Sequence, residues 1–323
     1  MAQRNLLLCF DAFGTLFHPR HPVLEQYITV AQQFGLGGFS IEDAEASFKS
    51  AFSRESKLHP NYGKASGMGA SKWWTNVIHQ TFQPLVGNET QLPKDLAPTL
   101  YRRFSSDEGY SLSSGVTSLL RSLKQKEAEQ RQRQRRQHLK SPRILVGVIT
   151  NSDDRVPSIL SSLGLRLSPL RFGHPLGPVR EPPAEQYDID LHCMSYDVGF
   201  GKPDRRIFDA AEDLAAQLVA TQEATEHEQD NGPAQTALPW LKLYVGDEYE
   251  KDVFGARGAG WTPIFVGTEE VVSNQDKVLD LEQLGKSLTL EDLSQQHDPP
   301  LLIKARSTQY VLKWLIEQYE SKQ

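Results

Sequence analysis

Cysteine is nearly missing from this chain, with only Cys9 and Cys193 among 323 residues. That excludes a disulfide framework, and neither residue has a companion at metal-site spacing, so a thiolate metal centre is excluded as well. Usage this sparse is what a reducing compartment predicts. Long hydrophobic runs are also lacking: none reaches the ~18 apolar residues of a membrane helix, and the apolar stretch 6–10 is too short for the core of a signal peptide. Charge of one sign is scarce too. Thirty-five Lys and Arg against 41 Asp and Glu leave a formal net charge of −6, too mild to point to a polyanion or an acidic lipid surface. The expectation is an intracellular, cytoplasmic protein, with a nuclear share allowed by the basic run 131–136, that engages neither nucleic acid nor membrane.

What is present is the composition of an enzyme, 38% hydrophobic and 24% charged, at a length that suggests one large α/β domain or a core with a smaller companion. Five short apolar runs stand out, at 6–10, 144–149, 189–196, 241–245 and 263–266. Continuous hydrophobicity marks strands covered on both faces, hence a parallel sheet. Each run ends in a polar or glycine cluster: Asp11, Thr150-Asn151-Ser152, Asp197, Gly246-Asp247 and Gly267-Thr268. Ligands of open α/β sheets bind beyond those carboxyl ends. Helical segments at 156–163 and 205–215 complete a β-α-β-α order with right-handed crossovers.

Residues 18–111 break that alternation and carry helical periodicity instead. Val23, Tyr27, Val30, Ala31 and Phe34 form one stripe, and Trp73, Trp74, Val77, Ile78 and Phe82 another. Ser40-Ile41-Glu42-Asp43 reads as a helix start leading into Ala44, Phe48, Ala51 and Phe52. The prediction is a helical bundle, 18–111, inserted into a core made of 1–17 and 112–323. Residues 121–143 hold nine Lys or Arg against two Glu, a local charge of +7; without aromatic residues for base stacking, this basic insertion reads as a solvated helix extension or a mobile loop. Polar insertions at 173–186 and 221–237 read as surface loops or disorder, and on the reading of a binding protein the basic insertion and the tail 301–323 could serve protein partners.

Two acids sit directly after buried runs, Asp11 and Asp247, and Asp252 follows five residues later. Gathered in one cleft, with each pair ~4 Å apart at an effective dielectric of about 20, they would repel by roughly 4 kcal/mol per pair. Something positive must sit among them. Lys202, in Gly201-Lys202-Pro203-Asp204, supplies one unit, and Mg2+ would supply two while taking oxygen ligands. A bound cation invites an anionic substrate, with Lys202 and the Thr150 hydroxyl as donors, and hence phosphoryl transfer to a carboxylate nucleophile.

Asp11 with Gly14-Thr15-Leu16, Thr150-Asn151, Lys202-Pro203, and Gly246-Asp247 through Asp252 resemble, in order and in strand placement, the four motifs of the haloacid dehalogenase-like hydrolase superfamily. Details such as Arg20-His21-Pro22, Trp73-Trp74 and 104–109 are similar to one subgroup of it. The resemblance implies a Rossmann-like core with a helical cap of the type inserted after the first motif. It implies that Asp11 is the nucleophile and that the metal ligands are Asp11, the Phe13 carbonyl, Asp247 and, through water, Asp252, with orientation of Lys202 as the other role open to Asp252. Thr150, with the Asn151 backbone, would hold phosphoryl oxygens, and Lys202 would balance charge. Gly14 and Thr15 would line the substrate turn, and Arg20 is the one nearby candidate for the substrate-binding arginine that the superfamily's dehalogenases carry in the cap. In the cap, the segment 56–72, with Lys57 and His59, would close over the cleft.

One departure stands out. Phosphatases of the superfamily have a second Asp two residues after the nucleophile; here Phe13 stands there. General acid-base catalysis is worth about 10² to 10⁴ in rate, roughly 3 to 5 kcal/mol, so leaving-group protonation is expected to be weak. The metal-independent 2-haloacid dehalogenases of the superfamily carry an aromatic residue at that place, and halide leaves without a proton. Three readings follow, in order of weight: a Mg2+-dependent phosphatase on a small phosphorylated metabolite, a 2-haloacid dehalogenase-type hydrolase, and a catalytically feeble binding or regulatory protein on the same fold.

Overall fold

The computed structural model of the chain describes residues 4–87, 89–137, 142–175, 187–229, 238–267, 277–294 and 301–320. In chain order the elements are β1 (Asn5–Phe10), β2 (Phe17–Pro19), α1 (Val23–Gln33), α2 (Ile41–Leu58), α3 (Ala70–Val86), α4 (Leu96–Arg103), β3 (Tyr110–Leu112) and α5 (Val116–Arg136). There follow β4 (Ile144–Thr150), α6 (Val156–Ser162), β5 (Leu191–Met194), α7 (Ser195–Val198), α8 (Arg206–Gln229), β6 (Trp240–Gly246) and α9 (Gly255–Gly258). The last are β7 (Thr262–Val266), β8 (Lys277–Asp280), α10 (Leu281–Leu284), β9 (Leu301–Ala305) and α11 (Thr308–Glu320). Contacts gather the chain into two units, Met1–Leu16 with Leu112–Asn151 and Leu165–Gln323, and Phe17–Ser111 with Ser152–Gly164.

The first unit is an α/β fold. Its sheet runs β5-β4-β1-β6-β7-β9-β8, every described pairing parallel. Strands β1 and β4 are buried along their whole length, as their unbroken apolar runs require. On one face Leu7, Cys9, Leu145, Ile149, Leu191 and Cys193 pack with Ile207, Phe208, Ala211 and Leu214 of α8. Leu6, Leu8 and Phe10 alternate to the other face and are equally buried. The chain leaves β1 for β4 on one side and returns through β6 on the other, so β1 stands at a topological switch point, where open sheets bind ligands.

Three readings of the sequence are narrowed here. Of the two given for the basic stretch, the helix extension holds over 121–136, which complete α5, but Leu123, Lys124 and Glu127 are buried and not solvated. Residues 138–141 lie outside the described ones. The tail is structural, because Leu302, Ile303 and Ala305 form β9 inside the sheet, and Val311, Leu312, Trp314 and Leu315 bury one face of α11. Residues 221–229 continue α8, whereas 176–186 and 230–237 lie outside the described residues.

The second unit carries the predicted bundle. Ser40 caps α2 through a reciprocal capping box with Asp43. Tyr27, Val30 and Ala31 of α1, Ala44 and Ala51 of α2, and Trp73, Val77, Ile78 and Phe82 of α3 are its buried stripes. Contacts add Ser152–Gly164 to this unit, a segment that the sequence pattern assigns to the core. The reason is a buried ion pair: Arg155 grips Asp153 at 2.9 and 2.8 Å and lies 4.4 Å from the Trp74 ring centre, while Trp74 Nε1 donates to Asp153 Oδ2 at 2.7 Å.

Candidate active site

The site is built where β1, β4 and β6 end. Asp11 continues the β1 ladder by one bond, its N–H donating to Val245 O at 2.9 Å, and the chain then turns back through 12–16. Asp11 Oδ1 accepts from Ala12 N at 2.8 Å. Gly14 stands at φ +78°, and a Cβ there would fall 2.1 Å from Asp247 Oδ2, so the turn tolerates glycine alone. Thr15 Oγ1 donates to Asp247 Oδ1 at 3.0 Å. Two segments more than 230 residues apart in sequence are thereby joined. After Asp247, a π-helical turn at Tyr249–Phe254 brings the Asp252 carboxylate back under the strand end, where Oδ2 accepts from Glu248 N at 2.9 Å.

Lys202 lies 4% exposed between these acids. Its ammonium reaches Asp11 Oδ1 at 2.9 Å, Asp252 Oδ1 at 2.7 Å and the Tyr244 hydroxyl at 2.8 Å. The backbone of the same residue is clamped by Asn151, whose Oδ1 accepts from Lys202 N at 2.6 Å and whose Nδ2 donates to Lys202 O at 2.9 Å. Burial alone would lower the lysine pKa, but Asp11 and Asp252 outweigh it and hold the pKa above its usual value. Lys202 is therefore a permanent cation. Burial raises the Asp252 carboxyl despite that neighbour.

One carboxylate oxygen from each of Asp11, Asp247 and Asp252 lies within 4.8 Å of the others. Burial, with Asp11 and Asp252 adding to it and the Thr15 hydrogen bond opposing, pushes the Asp247 carboxyl up to about 6. Such a group is short of positive charge. The donor set fits a hard divalent cation of Mg2+ type, which takes carboxylate oxygens at about 2.0 to 2.1 Å. Both Asp252 oxygens already accept hydrogen bonds, from Lys202 and from Glu248 N, so between the two roles left open for Asp252 the geometry favours orienting Lys202.

The structure brings Asp11, Gly14, Thr15, Asn151, Lys202, Asp247 and Asp252 together within the first unit. Thr150 closes β4, buried and in register with Met194 of β5, and Phe13 is half-buried in the turn after Asp11. Arg20, Lys57 and His59 belong to the second unit. There the exposed Arg20 donates through Nε to Asp107 O at 2.5 Å, Lys57 is exposed in the last turn of α2, and the His59 carbonyl accepts from Trp73 Nε1 at 3.0 Å. The segment after His59 is folded against the bundle, with Tyr62 on the rings of Trp73 and Trp74. Sequence reasoning missed Tyr244, an aromatic residue inside an apolar run that reads as core. It also missed that the Asn151 side chain is spent on the Lys202 backbone.

A seven-stranded parallel sheet thus carries, where its central strands end, aspartates that converge around a buried lysine. The chain is 30% identical over 256 residues to haloacid dehalogenase-like hydrolase domain-containing protein 3 of Homo sapiens, covering 79% of this chain and 78% of that one. It is 29% identical over 264 residues to the protein of that name from Bos taurus, covering 82% of each. Among solved structures it is similar to a 2-haloacid dehalogenase from Pseudomonas syringae (TM-score 0.46, 17% identity, 97% of this chain and 99% of that one). A second is a HAD phosphatase from Thermococcus onnurineus (TM-score 0.45, 14% identity, 97% and 98%). No family model matches. The chain belongs to the haloacid dehalogenase-like hydrolases.

Proposed function

We propose that the protein is a Mg2+-dependent phosphatase acting on a small phosphorylated metabolite through Asp11, with weak protonation of the leaving group. The observation that carries this reading is the convergence of Asp247 with Asp11, their carboxylate oxygens within 4.8 Å. A dehalogenase that needs no metal has no use for the second acid, and without a cation that acid is held near pKa 6. Asp11, Asp247 and the Phe13 carbonyl would hold the ion, which when bound would offset the negative charge of a phosphoryl group near the nucleophile. Asp11, its Oδ1 fixed by Ala12 N and by Lys202, presents its other oxygen for attack. The Thr150 hydroxyl donates to a phosphoryl oxygen, while Asp252 and Asn151 keep Lys202 in place.

Phe13 adds no proton donor beside Asp11, so substrates with good leaving groups are favoured over simple alkyl phosphates. On the substrate side, Arg20, Lys57 and His59 are proposed to contact the remainder of the molecule. A two-arm assay tests the whole reading: phosphate release from p-nitrophenyl phosphate with Mg2+, and chloride release from 2-chloropropionate without it. Phosphate release that disappears in Asp11→Asn is the expected result, with KM raised in Lys57→Ala or His59→Ala. Chloride release lost in Asp11→Asn would replace it with the dehalogenase reading, and silence in both arms would leave a binding protein.

A further inference from the structure

Three acceptors for one ammonium group have a consequence. A lysine carries three N–H donors, and those of Lys202 are matched by Asp11 Oδ1, Asp252 Oδ1 and Tyr244 Oη at 2.9, 2.7 and 2.8 Å. The Tyr244 hydroxyl spends its own single proton on the Ile149 carbonyl at 2.7 Å, leaving the 3.5 Å approach to Asp252 Oδ1 as the poorer alternative. Ile149 immediately precedes Thr150 and Asn151, and Asn151 grips the Lys202 backbone. The result is a closed ring from the end of β4 through Tyr244 of β6 to the tip of Lys202 and back by its backbone to Asn151. Tyr244 is itself fixed, fully buried with its ring edge-on to Phe208 at 5.1 Å and to Trp261 at 6.5 Å.

We propose that Tyr244 is a positioning residue: by taking the third N–H it locks Lys202 as a tripod that orients the Asp11 carboxylate from behind, and leaves the ammonium no proton with which to bond the incoming substrate. This rests on Asp11 being the nucleophile. It changes the division of labour in the site. Lys202 holds the attacking group in one rotamer and balances its charge, while direct hydrogen bonds to the anion fall to Thr150 and to backbone N–H groups. A freed N–H, in contrast, would turn toward the anion, strengthening ground-state binding without helping the chemical step.

The test pairs kinetics with a direct view of the ammonium. Tyr244→Phe keeps the ring contacts and deletes the hydroxyl. With p-nitrophenyl phosphate and Mg2+, kcat is expected to fall about tenfold while KM stays level or drops; a role in packing alone would lower the melting temperature without that split. In protein labelled with 15N-lysine, the Lys202 NH3+ signal, assigned by its loss in Lys202→Arg, is expected to exchange slowly and to show a cross-peak to the Tyr244 ring protons. That protection is expected to vanish in Tyr244→Phe. A wild-type signal without the cross-peak overturns the proposal even if the variant fails to fold, and so does a protected signal that survives in Tyr244→Phe, or a kcat that does not change. If the wild type releases neither phosphate nor chloride, the nucleophile reading fails, and the ammonium spectrum still decides whether the tripod exists.

Discussion

At position 14 a methyl group has nowhere to go. The φ of +78° already disfavours any side chain by about 1 to 2 kcal/mol, and the added carbon would sit 2.1 Å from Asp247 Oδ2. Gly14→Ala must therefore push Asp247 aside, breaking its bond from Thr15 and drawing it away from Asp11. Displacements near 1 Å in a reacting centre cost on the order of 10²-fold in rate. The expected outcome is a folded protein by circular dichroism, melting a few degrees lower, with phosphate release down about a hundredfold; wild-type turnover would show that Asp247 is not held where catalysis needs it. At this scale the sequence was informative where a residue's place on a strand set its role. Asp11 and Thr150 each follow a continuous apolar run, and Asp247 follows one interrupted only by Lys242, so their position at the sheet's rim could be read off. Tyr244 could not, because its hydroxyl matters through partners, Lys202 and Ile149, that lie 42 and 95 residues away.

Helix α5 shows how composition conceals an element. Its basic residues suggest a solvated extension, yet Lys124 is 8% exposed and paired with Asp190, which sits just before β5, and its ammonium also donates to Ile144 O at 3.0 Å. Asp190 Oδ2 accepts from Val146 N at 2.7 Å, and Glu127 Oε1 accepts from Ile144 N at 2.8 Å. Burial pushes both carboxyls up. This polar knot fastens α5 to the start of β4. Deleting one partner of a buried pair strands the other, at about 3 to 5 kcal/mol, whereas neutralising both is far milder. Lys124→Met is expected to lower the urea midpoint strongly, and Lys124→Met with Asp190→Asn, which keeps an acceptor for Val146 N, to recover at least half of the loss. Equal midpoints for the single and double variants would argue that the pair contributes nothing specific. Strands β8 and β9 escaped notice for a related reason: β8 reads Lys-Val-Leu-Asp with no residue buried, and the apolar start of β9 stops at Lys304 after three residues, so neither presents a run like those that mark the other strands.

If Asp247 holds the proposed ion, then across the whole molecule ion binding, protonation and stability are tied together through one carboxyl. With its pKa raised from 3.8 to about 6 in the fold, Asp247 keeps its proton to higher pH than it would in the unfolded chain. The native state then binds more protons between roughly pH 4 and 6, so its stability falls as pH rises through that window, and the full penalty stands above it. A divalent ion competes with that proton and relieves the same repulsion. Mg2+ should therefore raise the melting temperature more at pH 7.5 than at pH 5.0. At ten times its Kd, mass action gives about 1.4 kcal/mol, which for a chain of this size is roughly 2 °C. Asp247→Asn, whose amide oxygen can still accept from Thr15, should raise the metal-free melting temperature at pH 7.5, lose that advantage toward pH 4, and abolish the response to Mg2+. Thermal melts of both proteins at the two pH values, with and without 10 mM Mg2+, decide it: an equal Mg2+ effect at both pH values, or an undiminished one in Asp247→Asn, would remove this carboxyl from the metal site.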